Sequence, residues 1–310
     1  MSFSLLVKQE IASTPLDKKC CRMAELAAFI RTNGSMELGS GGIKVRFDVE
    51  RIDTATRLYD IINKTYNIDA VIIQKEEKRL GKEHIYSIKV NDSDSARSML
   101  KDTGVLLQDK YGYNVESVLP KDMLKLTCCQ KAYLKGAFQG SGSVSDPKKE
   151  YRLEFASRDV DTDKHIRMIL HSIDIPFHTS TRREWCITYI SDAENIIKLL
   201  ALMGAHKNLL DMENVIVLKG IRNDINRKVN LETANLKRIS IAAKNQIDAI
   251  NKLIELGEFE YLPEKIKLAA TARLENKEAT LDEIADILDI SKSGANHRMR
   301  KIVEYANDYK

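Results

Sequence analysis

An internal repeat constrains the fold of this chain more than any other feature of the sequence. A constant offset of 108 residues relates pairs of identical residues, among them Cys20 and Cys128, Cys21 and Cys129, Gly34 and Gly142, Phe47 and Phe155, and Asp53 and Asp161. A unit of this length is too long for a solenoid, whose repeats usually have about 20 to 50 residues. The repeat therefore predicts two similar half-domains packed around a pseudo-two-fold axis.

Both copies are expected to share one order of elements. Residues 23–30 carry apolar side chains at helical spacing and lead to Asn33-Gly34, which favours a helix end. Residues 43–47 alternate apolar and polar side chains, as a half-buried strand does. The remaining patterns of the first copy predict a helix near 53–63, strands near 70–77 and 84–90, and a helix near 94–100. The second copy follows the same plan, with Thr127 and Gln130 as a capping box at its start.

The opening helix of each copy carries small residues four positions apart. Ala24 and Ala28 in the first copy match Ala132 and Gly136 in the second, and Gly140 follows one turn later. Such a strip lets two helix backbones approach each other closely. The pattern favours a central pair of helices over ordinary packing of each helix on its own sheet.

The C-terminal region contains a sharper local signal. Thr280 and Glu283 have the spacing of a capping box, and a helical apolar stripe follows them. Residues 289–291 then predict a short turn, in which Asp289 stands where glycine is more usual and Ser291 is the N-cap of a second helix. The pattern predicts a helix-turn-helix at about residues 280–304.

The second helix of this motif is the predicted recognition helix. No acidic residue lies between Ser291 and Lys301. Such a helix fits the major groove, where Arg pairs with guanine and Asn with adenine. A helical hairpin that only packs is the alternative. The predicted DNA-binding residues are Lys292, Ser293, Asn296, His297, Arg298, Arg300 and Lys301. A catalytic role for His297 is not expected, because no serine or cysteine nucleophile accompanies it.

Composition excludes few classes of protein. The 310 residues are 43% hydrophobic and 30% charged, and a net charge of +4 does not by itself identify a polyanionic partner. The apolar run within residues 1–13 is too short for the hydrophobic region of a signal peptide. No segment reaches the roughly 20 apolar residues of a membrane span. We therefore expect a cytoplasmic, nucleoid-associated protein without membrane contact.

The five cysteines are expected to be reduced thiols. An odd number fits a reducing compartment better than a disulfide framework. The adjacent pairs Cys20-Cys21 and Cys128-Cys129 lack the Cys-x-x-Cys spacing that is usual for zinc. The sequence therefore favours buried thiols at two equivalent helix starts, with no metal ion and no other cofactor.

The repeated helices resemble those of a known family. Residues 26–34, LAAFIRTNG, and residues 134–142, LKGAFQGSG, resemble the two LAGLIDADG helices of monomeric homing endonucleases. The resemblance covers roughly the first two thirds of the chain and implies an α+β fold of two αββαββα halves. In that family each helix ends with one metal-binding acid. Here the corresponding positions are Asn33 and Ser141.

These two departures imply a loss of cleavage. Two-metal cleavage of a phosphodiester needs carboxylates that hold divalent cations. An amide and a hydroxyl bind hard divalent ions poorly. The resemblance therefore implies a scaffold that retains the shape for gripping a duplex but has no catalytic residues.

Secondary DNA contacts are expected on the polar faces of the sheets and in the segment after residue 218. In the endonuclease fold the sheets line a DNA groove, and phosphate contact is the expected role of four residues here: Lys44, Arg46, Arg152 and Arg182. Asp48 and Glu154 share those faces, so a solvated surface is the alternative. The connector 219–230 adds Arg222, Arg227 and Lys228, either along a phosphate backbone or as a solvated linker.

The complete arrangement resembles the WhiA family of bacterial regulators nearly end to end. The resemblance includes the cysteine pairs, residues 222–227, Thr233-Ala234-Asn235 and Ser291-Lys292-Ser293-Gly294, which is also similar to promoter-reading helices of sigma factors. It implies a transcription factor linked to cell division, chromosome segregation and, in sporulating species, sporulation. The expected partner is double-stranded DNA, with transcription or cell-division proteins as further candidates.

These inferences predict two domains. Residues 1–219 form the endonuclease-like domain, with halves at about 1–105 and 121–219, and residues 220–310 form an all-α DNA-binding domain. Three other functions stay open at this point. They are a metal-dependent endonuclease using Glu25 or Asp146 as replacement acids, an RNA-binding maturase, and a division or chromosome scaffold that acts through protein contacts.

Overall fold

A computed structural model describes residues 2–16, 18–39, 42–76, 84–109, 112–115 and 118–308. The connection between the strands predicted near 70–77 and 84–90 lies outside these residues. The chain divides into two compact units, Met1–Leu218 and Lys219–Lys310.

The first unit contains seven helices, ten strands and the start of an eighth helix among its described residues. Its first half contains α1 (Phe3–Ala12), α2 (Lys19–Asn33), β1 (Gly34–Gly39), β2 (Gly42–Val49), α3 (Ile52–Tyr66), β3 (Val71–Glu76), β4 (His84–Val90) and α4 (Ser93–Asp102). A short hairpin, β5 (Leu106–Asp109) and β6 (Gly112–Val115), follows. The second half contains α5 (Thr127–Ser141), β7 (Ser143–Val144), β8 (Leu153–Ser157), α6 (Val160–Ser172), β9 (His178–Arg182), β10 (Trp185–Ile190) and α7 (Ala193–Met203).

The two halves have the same topology, as the repeat predicts. One antiparallel sheet has the order β1-β2-β4-β3, and the other has the order β7-β8-β10-β9. In each half a phenylalanine of the central helix packs edge to face on a phenylalanine of the second strand. These pairs are Phe29 with Phe47 and Phe138 with Phe155, with ring centroids 6.1 Å and 6.2 Å apart. The α+β duplication predicted from sequence is confirmed.

Helices α2 and α5 pack against each other along their small residues. Ala24 and Ala28 are fully buried and Ala132 is nearly so. A Cβ atom added to Gly136 would lie 2.1 Å from the backbone oxygen of Glu25, and one added to Gly140 would lie 2.1 Å from Oγ1 of Thr32. The predicted central helix pair is therefore present, and its closeness depends on glycine.

The predicted helix end at Asn33-Gly34 is confirmed, because α2 ends at Asn33 and Gly34 is its C-cap, whereas the capping box predicted at the start of the second copy is wrong. Gly34 has a φ of −69°, and the chain passes directly into β1. Glycine is needed there since a Cβ atom would lie 2.5 Å from the carbonyl oxygen of Ile30. Thr127 and Gln130 form no capping box. Leu126 is the N-cap, and Nε2 of Gln130 donates to the carbonyl oxygen of Leu124 at 2.9 Å.

A buried ion pair fixes α3 to the central pair. The guanidinium of Arg57 contacts both carboxylate oxygens of Glu25, with Nε–Oε1 at 2.5 Å and Nη2–Oε2 at 2.9 Å. Nη1 of Arg57 also donates to the carbonyl oxygen of Thr14 at 2.6 Å. Because both charged groups are almost fully buried, removal of either one would leave an uncompensated charge.

The second unit is helical throughout its described residues. It contains most of α8 (His206–Glu255), which begins in the first unit, then a single 3₁₀ turn (Phe259–Tyr261), α9 (Glu264–Glu275), α10 (Leu281–Ile287) and α11 (Lys292–Asp308). A separate apolar core joins the end of α8 to α9, α10 and α11, with Ile250, Ala269, Ile284 and Ile302 fully buried. The connector predicted at 219–230 is therefore not a loop, because it forms part of α8.

We expect Gly136→Ala to destabilise the first unit by roughly 1 to 3 kcal/mol, the usual cost of overpacking a close contact. Urea unfolding followed by fluorescence of Trp185, the single tryptophan, measures this unit directly. Gly39→Ala is the control, because Gly39 lies in β1 of the same unit with no atom within 4 Å of an added Cβ. Equal unfolding midpoints for the two variants would contradict the close helix contact.

Candidate nucleic-acid interface

Helices α10 and α11 form the predicted helix-turn-helix. Thr280 caps α10 in a complete capping box, in which the backbone N–H of Glu283 donates to Oγ1 of Thr280 at 3.3 Å and that of Thr280 donates to Oε2 of Glu283 at 2.6 Å. The hydrogen bond from the backbone N–H of Thr280 lowers the pKa of the Glu283 carboxyl. The start of the motif is therefore fixed by local sequence, as predicted.

The turn between the two helices depends on one strained residue. Asp289 adopts a left-handed conformation with φ of 50°, as its place in the turn predicts. The next residue, Ile290, donates its N–H to the carbonyl oxygen of Ala285 at 3.0 Å. Ser291 then caps α11, because its Oγ accepts from the N–H of Gly294 at 3.2 Å.

One face of α11 is buried and the other is open to solvent. Ala295, Met299, Ile302 and Ala306 face the core, whereas Val303 is only half-buried. Among the predicted DNA-binding residues, Lys292, Ser293, Asn296, His297 and Arg300 are exposed, and Arg298 and Lys301 are half-buried. The structure thus gathers all seven side chains on or beside one accessible helix face.

The basic face of α11 is less free of acids than the sequence indicates. Nζ of Lys292 lies 2.6 Å from Oδ2 of Asp282 on α10. Glu304 lies 3.4 Å from Nε of Arg300 and 2.7 Å from Nζ of Lys301. The hydrogen bond with Glu304 raises the pKa of Lys301, and the same bond lowers the pKa of Glu304. These exposed pairs contribute little to stability, so a phosphate can replace the carboxylates.

Asn296 and Arg298 differ from their neighbours on α11. Within the part of the chain that the structure describes, no hydrogen bond or ion pair engages either side chain. Both groups are donors with geometry suited to base edges, since Arg pairs with guanine and Asn with adenine in the major groove.

A buried arginine supports the motif from behind. Arg273 on α9 is only 1% exposed, and its Nη1 donates to the carbonyl oxygen of Ala279 at 2.5 Å, just before the cap of α10. Burial lowers the pKa of this guanidinium. At the other end of α11, Nζ of Lys252 donates to the carbonyl oxygen of Ala306 at 2.7 Å. Sequence reasoning missed both residues, because neither belongs to a motif.

The outer face of the sheet β7-β8-β10-β9 is basic and aromatic. The guanidinium of Arg152 lies 3.8 Å from the ring centroid of Tyr189, and that of Arg158 lies 4.8 Å from the ring centroid of Trp185. Arg182 is exposed and pairs in register with Trp185. The alternation of side chains along residues 185–190 predicts an outward position for Trp185 and Tyr189, so sequence reasoning could have found both. Arg158 follows the end of β8, and no sequence pattern marks it.

The outer face of the sheet β1-β2-β4-β3 is more nearly neutral. Arg46 contacts Glu37 at 2.9 Å and Asp48 at 3.2 Å. Lys44 is exposed and lies opposite Glu37 in register. On the other sheet, Glu154 contacts Nε of Arg152 at 3.0 Å. Acids therefore pair with two of the four basic residues predicted on the sheets.

The three basic residues of the former connector do not form one edge. Arg222, Arg227 and Lys228 are all exposed on α8. A helix turns by about 100° per residue, so Arg227 and Lys228 point about 140° and 240° away from Arg222. The three side chains therefore leave α8 in different directions, and contact of each with a phosphate stays a prediction from the sequence.

Asn33 and Ser141 are equivalent hydrogen-bond donors. Nδ2 of Asn33 donates to the carbonyl oxygen of Asp48 at 3.1 Å, and Oγ of Ser141 donates to the carbonyl oxygen of Ala156 at 2.5 Å. The two acceptors differ by the same 108 residues as the donors. Each side chain therefore ties the end of a central helix to the neighbouring strand. A carboxylate in either place would direct its oxygens toward a carbonyl oxygen.

The two acids considered as replacements have other partners. The carboxylate of Glu25 is buried in its ion pair with Arg57. Asp146 is exposed in a turn, where Oδ1 accepts the backbone N–H of Lys148 at 2.9 Å. Neither arrangement resembles a pair of carboxylates that converge on a metal ion.

Three domain families match this chain in succession. They are the WhiA N-terminal LAGLIDADG-like domain at residues 19–106, the WhiA LAGLIDADG-like domain at 130–222 and the WhiA C-terminal HTH domain at 225–306. The chain belongs to the WhiA family. The resemblance of its sequence to that family is confirmed.

Members of the WhiA family match over nearly the full length. The probable cell division protein WhiA of Alkaliphilus metalliredigens is 36% identical over 310 residues, covering 99% of this chain and 98% of that protein. The protein of the same name from Bacillus cytotoxicus is 33% identical over 310 residues, covering 99% and 96%. The crystal structure of full-length DUF199/WhiA from Thermatoga maritima is 23% identical, covers 100% and 99% of the two chains and has a TM-score of 0.62, which supports the same fold.

The described part of this WhiA-family chain contains no helix that is both long enough and apolar enough to cross a bilayer.

Restoring an acid at the degenerate positions should destabilise the first unit. Asn33→Asp or Ser141→Asp removes a donor and directs a carboxylate toward a carbonyl oxygen, which costs roughly 1 to 3 kcal/mol for an unsatisfied buried group. Urea unfolding followed by Trp185 fluorescence measures the loss. The exposed Asn91→Asp makes the same chemical change in the same unit as a control and should stay within about 0.5 kcal/mol of the parent. Wild-type stability in both acid variants would contradict the structural role.

Proposed function

We propose that this WhiA-family chain is a sequence-specific, non-cleaving DNA-binding regulator of transcription that reads bases with α11. The observation that carries the proposal is the exposed face of α11, where Asn296 and Arg298 present unengaged donors beside a set of weakly paired cations. The start of a recognition helix usually meets base edges, and the flanking cations meet phosphates.

The proposed division of labour gives the endonuclease-like unit a supporting role. The outer face of the sheet β7-β8-β10-β9 joins guanidinium groups to aromatic rings at Arg152, Arg158, Tyr189 and Trp185. Such a face suits phosphates and the edges of a duplex. Linked sites of modest affinity bind more tightly than either alone when both reach the same DNA. Of the two sheets, this one is the proposed secondary DNA surface, because the other has its central arginine held between two acids.

The absence of cleavage is part of the proposal. It is supported by Asn33 and Ser141, whose side chains are committed to strand carbonyl oxygens. It is supported further by Glu25, whose charge is matched by Arg57. Two-metal hydrolysis needs free carboxylates near both oxygens of the scissile phosphate, and these groups do not supply them.

The biological setting rests on the relatives. Those matched over nearly the full length carry the name probable cell division protein WhiA. We propose that the chain acts at the nucleoid and that the genes it regulates include genes of cell division. Roles in chromosome segregation and sporulation, and contacts with transcription or division proteins, stay predictions from the family resemblance.

Removing a base-reading side chain should weaken binding to a specific site. For Arg298→Ala and Arg300→Ala we expect a loss of roughly 1 to 3 kcal/mol at any position where the side chain reads a base. Gel shifts at fixed salt with a site selected from random DNA by the full chain measure this loss. Lys265→Ala, which removes one exposed charge from α9, is the matched control. Unchanged affinity of both arginine variants would refute the assignment of α11.

Removing the acid beside the cations should strengthen binding. Glu304→Gln frees Arg300 and Lys301 from their carboxylate partner and removes a charge that repels phosphate. We expect a lower Kd, by a few fold, and a steeper dependence of affinity on salt, because more cations then displace counterions from DNA. The control Glu264→Gln makes the same change on the exposed surface of α9 and should alter neither quantity. Identical salt slopes for Glu304→Gln and the parent would place Arg300 and Lys301 away from the phosphates.

A further inference from the structure

The first turns of α2 and α5 bring four cysteine thiols together. Cys20 and Cys21 begin one helix, and Cys128 and Cys129 begin its equivalent. All four Sγ atoms lie within 4.8 Å of one another. The sequence predicted buried thiols at two equivalent helix starts. This holds for Cys21 and Cys129 and is wrong for Cys20 and Cys128, which are exposed.

The distances match those of a tetrahedral metal site. Zinc binds thiolates at about 2.3 Å, so neighbouring sulfurs in a Cys₄ tetrahedron are about 3.8 Å apart. The Sγ atoms here are at most 4.8 Å apart, and small changes of the cysteine side-chain torsions bring them to that spacing. Consecutive cysteines on one helix cannot complete a tetrahedron alone. The duplication supplies the second pair from the facing helix.

The surroundings suit a negatively charged centre. Four thiolates around a divalent ion carry a net charge of −2. Both helix N-termini point their partial positive charge at the cluster. A cavity of about 170 Å³ is lined by Lys18, Lys131 and Lys135 together with Cys21 and Cys128.

Core packing explains only half of the cluster. Cys21 and Cys129 are 3% and 2% exposed and belong to the core of the first unit, as small apolar residues do. Cys20 and Cys128 are exposed and gain nothing from burial. A disulfide needs two sulfurs that are close to each other alone, whereas here every sulfur lies near the other three. A shared ligand accounts for both observations.

We infer that Cys20, Cys21, Cys128 and Cys129 bind one zinc ion, or a divalent ion of similar preference, as a structural clamp between α2 and α5. The ion joins the N-terminal ends of the two central helices. The degenerate positions Asn33 and Ser141 lie at the opposite ends, about 20 Å along each helix at 1.5 Å per residue. The site is therefore distinct from the ion positions of the endonuclease family, and it stands independently of the proposed regulatory function.

Metal content of the full chain tests the inference. The protein is purified under reducing conditions without chelator, and zinc is measured by plasma mass spectrometry. We expect one zinc ion per chain in the parent protein and in Cys186→Ser, which changes the fifth cysteine, on β10 outside the cluster. Cys20→Ser and Cys128→Ser should lose most of the metal. Both change exposed residues, and Trp185 fluorescence reports whether they fold.

Cobalt gives a second readout that identifies the ligands. Cobalt added to the metal-free parent should produce intense thiolate charge-transfer bands and the visible spectrum of a tetrahedral site, at one ion per chain. The bands should weaken in Cys128→Ser and persist in Cys186→Ser. If the serine variants do not fold, release of one zinc ion from the parent on thiol modification replaces them.

Three results would overturn the inference. The first is parent protein that contains no zinc and gives no cobalt bands. The second is a Cys20→Ser or Cys128→Ser variant that retains the full metal content. The third is freshly purified protein in which mass spectrometry without reductant finds the four cysteines as two disulfides. That last outcome would assign the cluster to thiol oxidation instead.

Discussion

The close contact between α2 and α5 is the constraint on which the first unit depends. At Gly136 a helix backbone meets the backbone oxygen of Glu25 with no room for a side chain. This approach brings the two halves together and buries Ala24 and Ala28. It also places equivalent ends of the two helices beside each other. The duplication thus builds the core of the first unit, because two copies of one helix pack on each other and each copy also packs on its own sheet.

The two ends of that helix pair have different chemistry. At one end four thiols converge. At the other end Asn33 and Ser141 donate to equivalent strand carbonyl oxygens. In the endonuclease family this second end carries acids. In this chain both positions carry hydrogen-bond donors instead, and each donor joins a central helix to its sheet.

Charge on the candidate DNA surfaces is set locally, side chain by side chain. Arg46 lies between Glu37 and Asp48, while Arg152 shares its charge between Glu154 and the ring of Tyr189. Two acids lie at the edges of the basic face of α11, Asp282 on α10 and Glu304 on α11 itself. Exposed pairs of this kind yield readily to a polyanion. Under the proposed function, Asn296 and Arg298 in the centre of α11 distinguish bases.

The sequence by itself determined the duplicated plan, the capping box at Thr280, the turn at Asp289 and the substitution of both acids, because each depends on residues near one another in the chain or on the repeat. Only the tertiary structure decided which side chains meet across long separations. The four cysteines converge over 108 residues, Arg57 neutralises Glu25, and Asp282 reaches Lys292. Local spacing cannot report such distances, since helix packing and strand register set them.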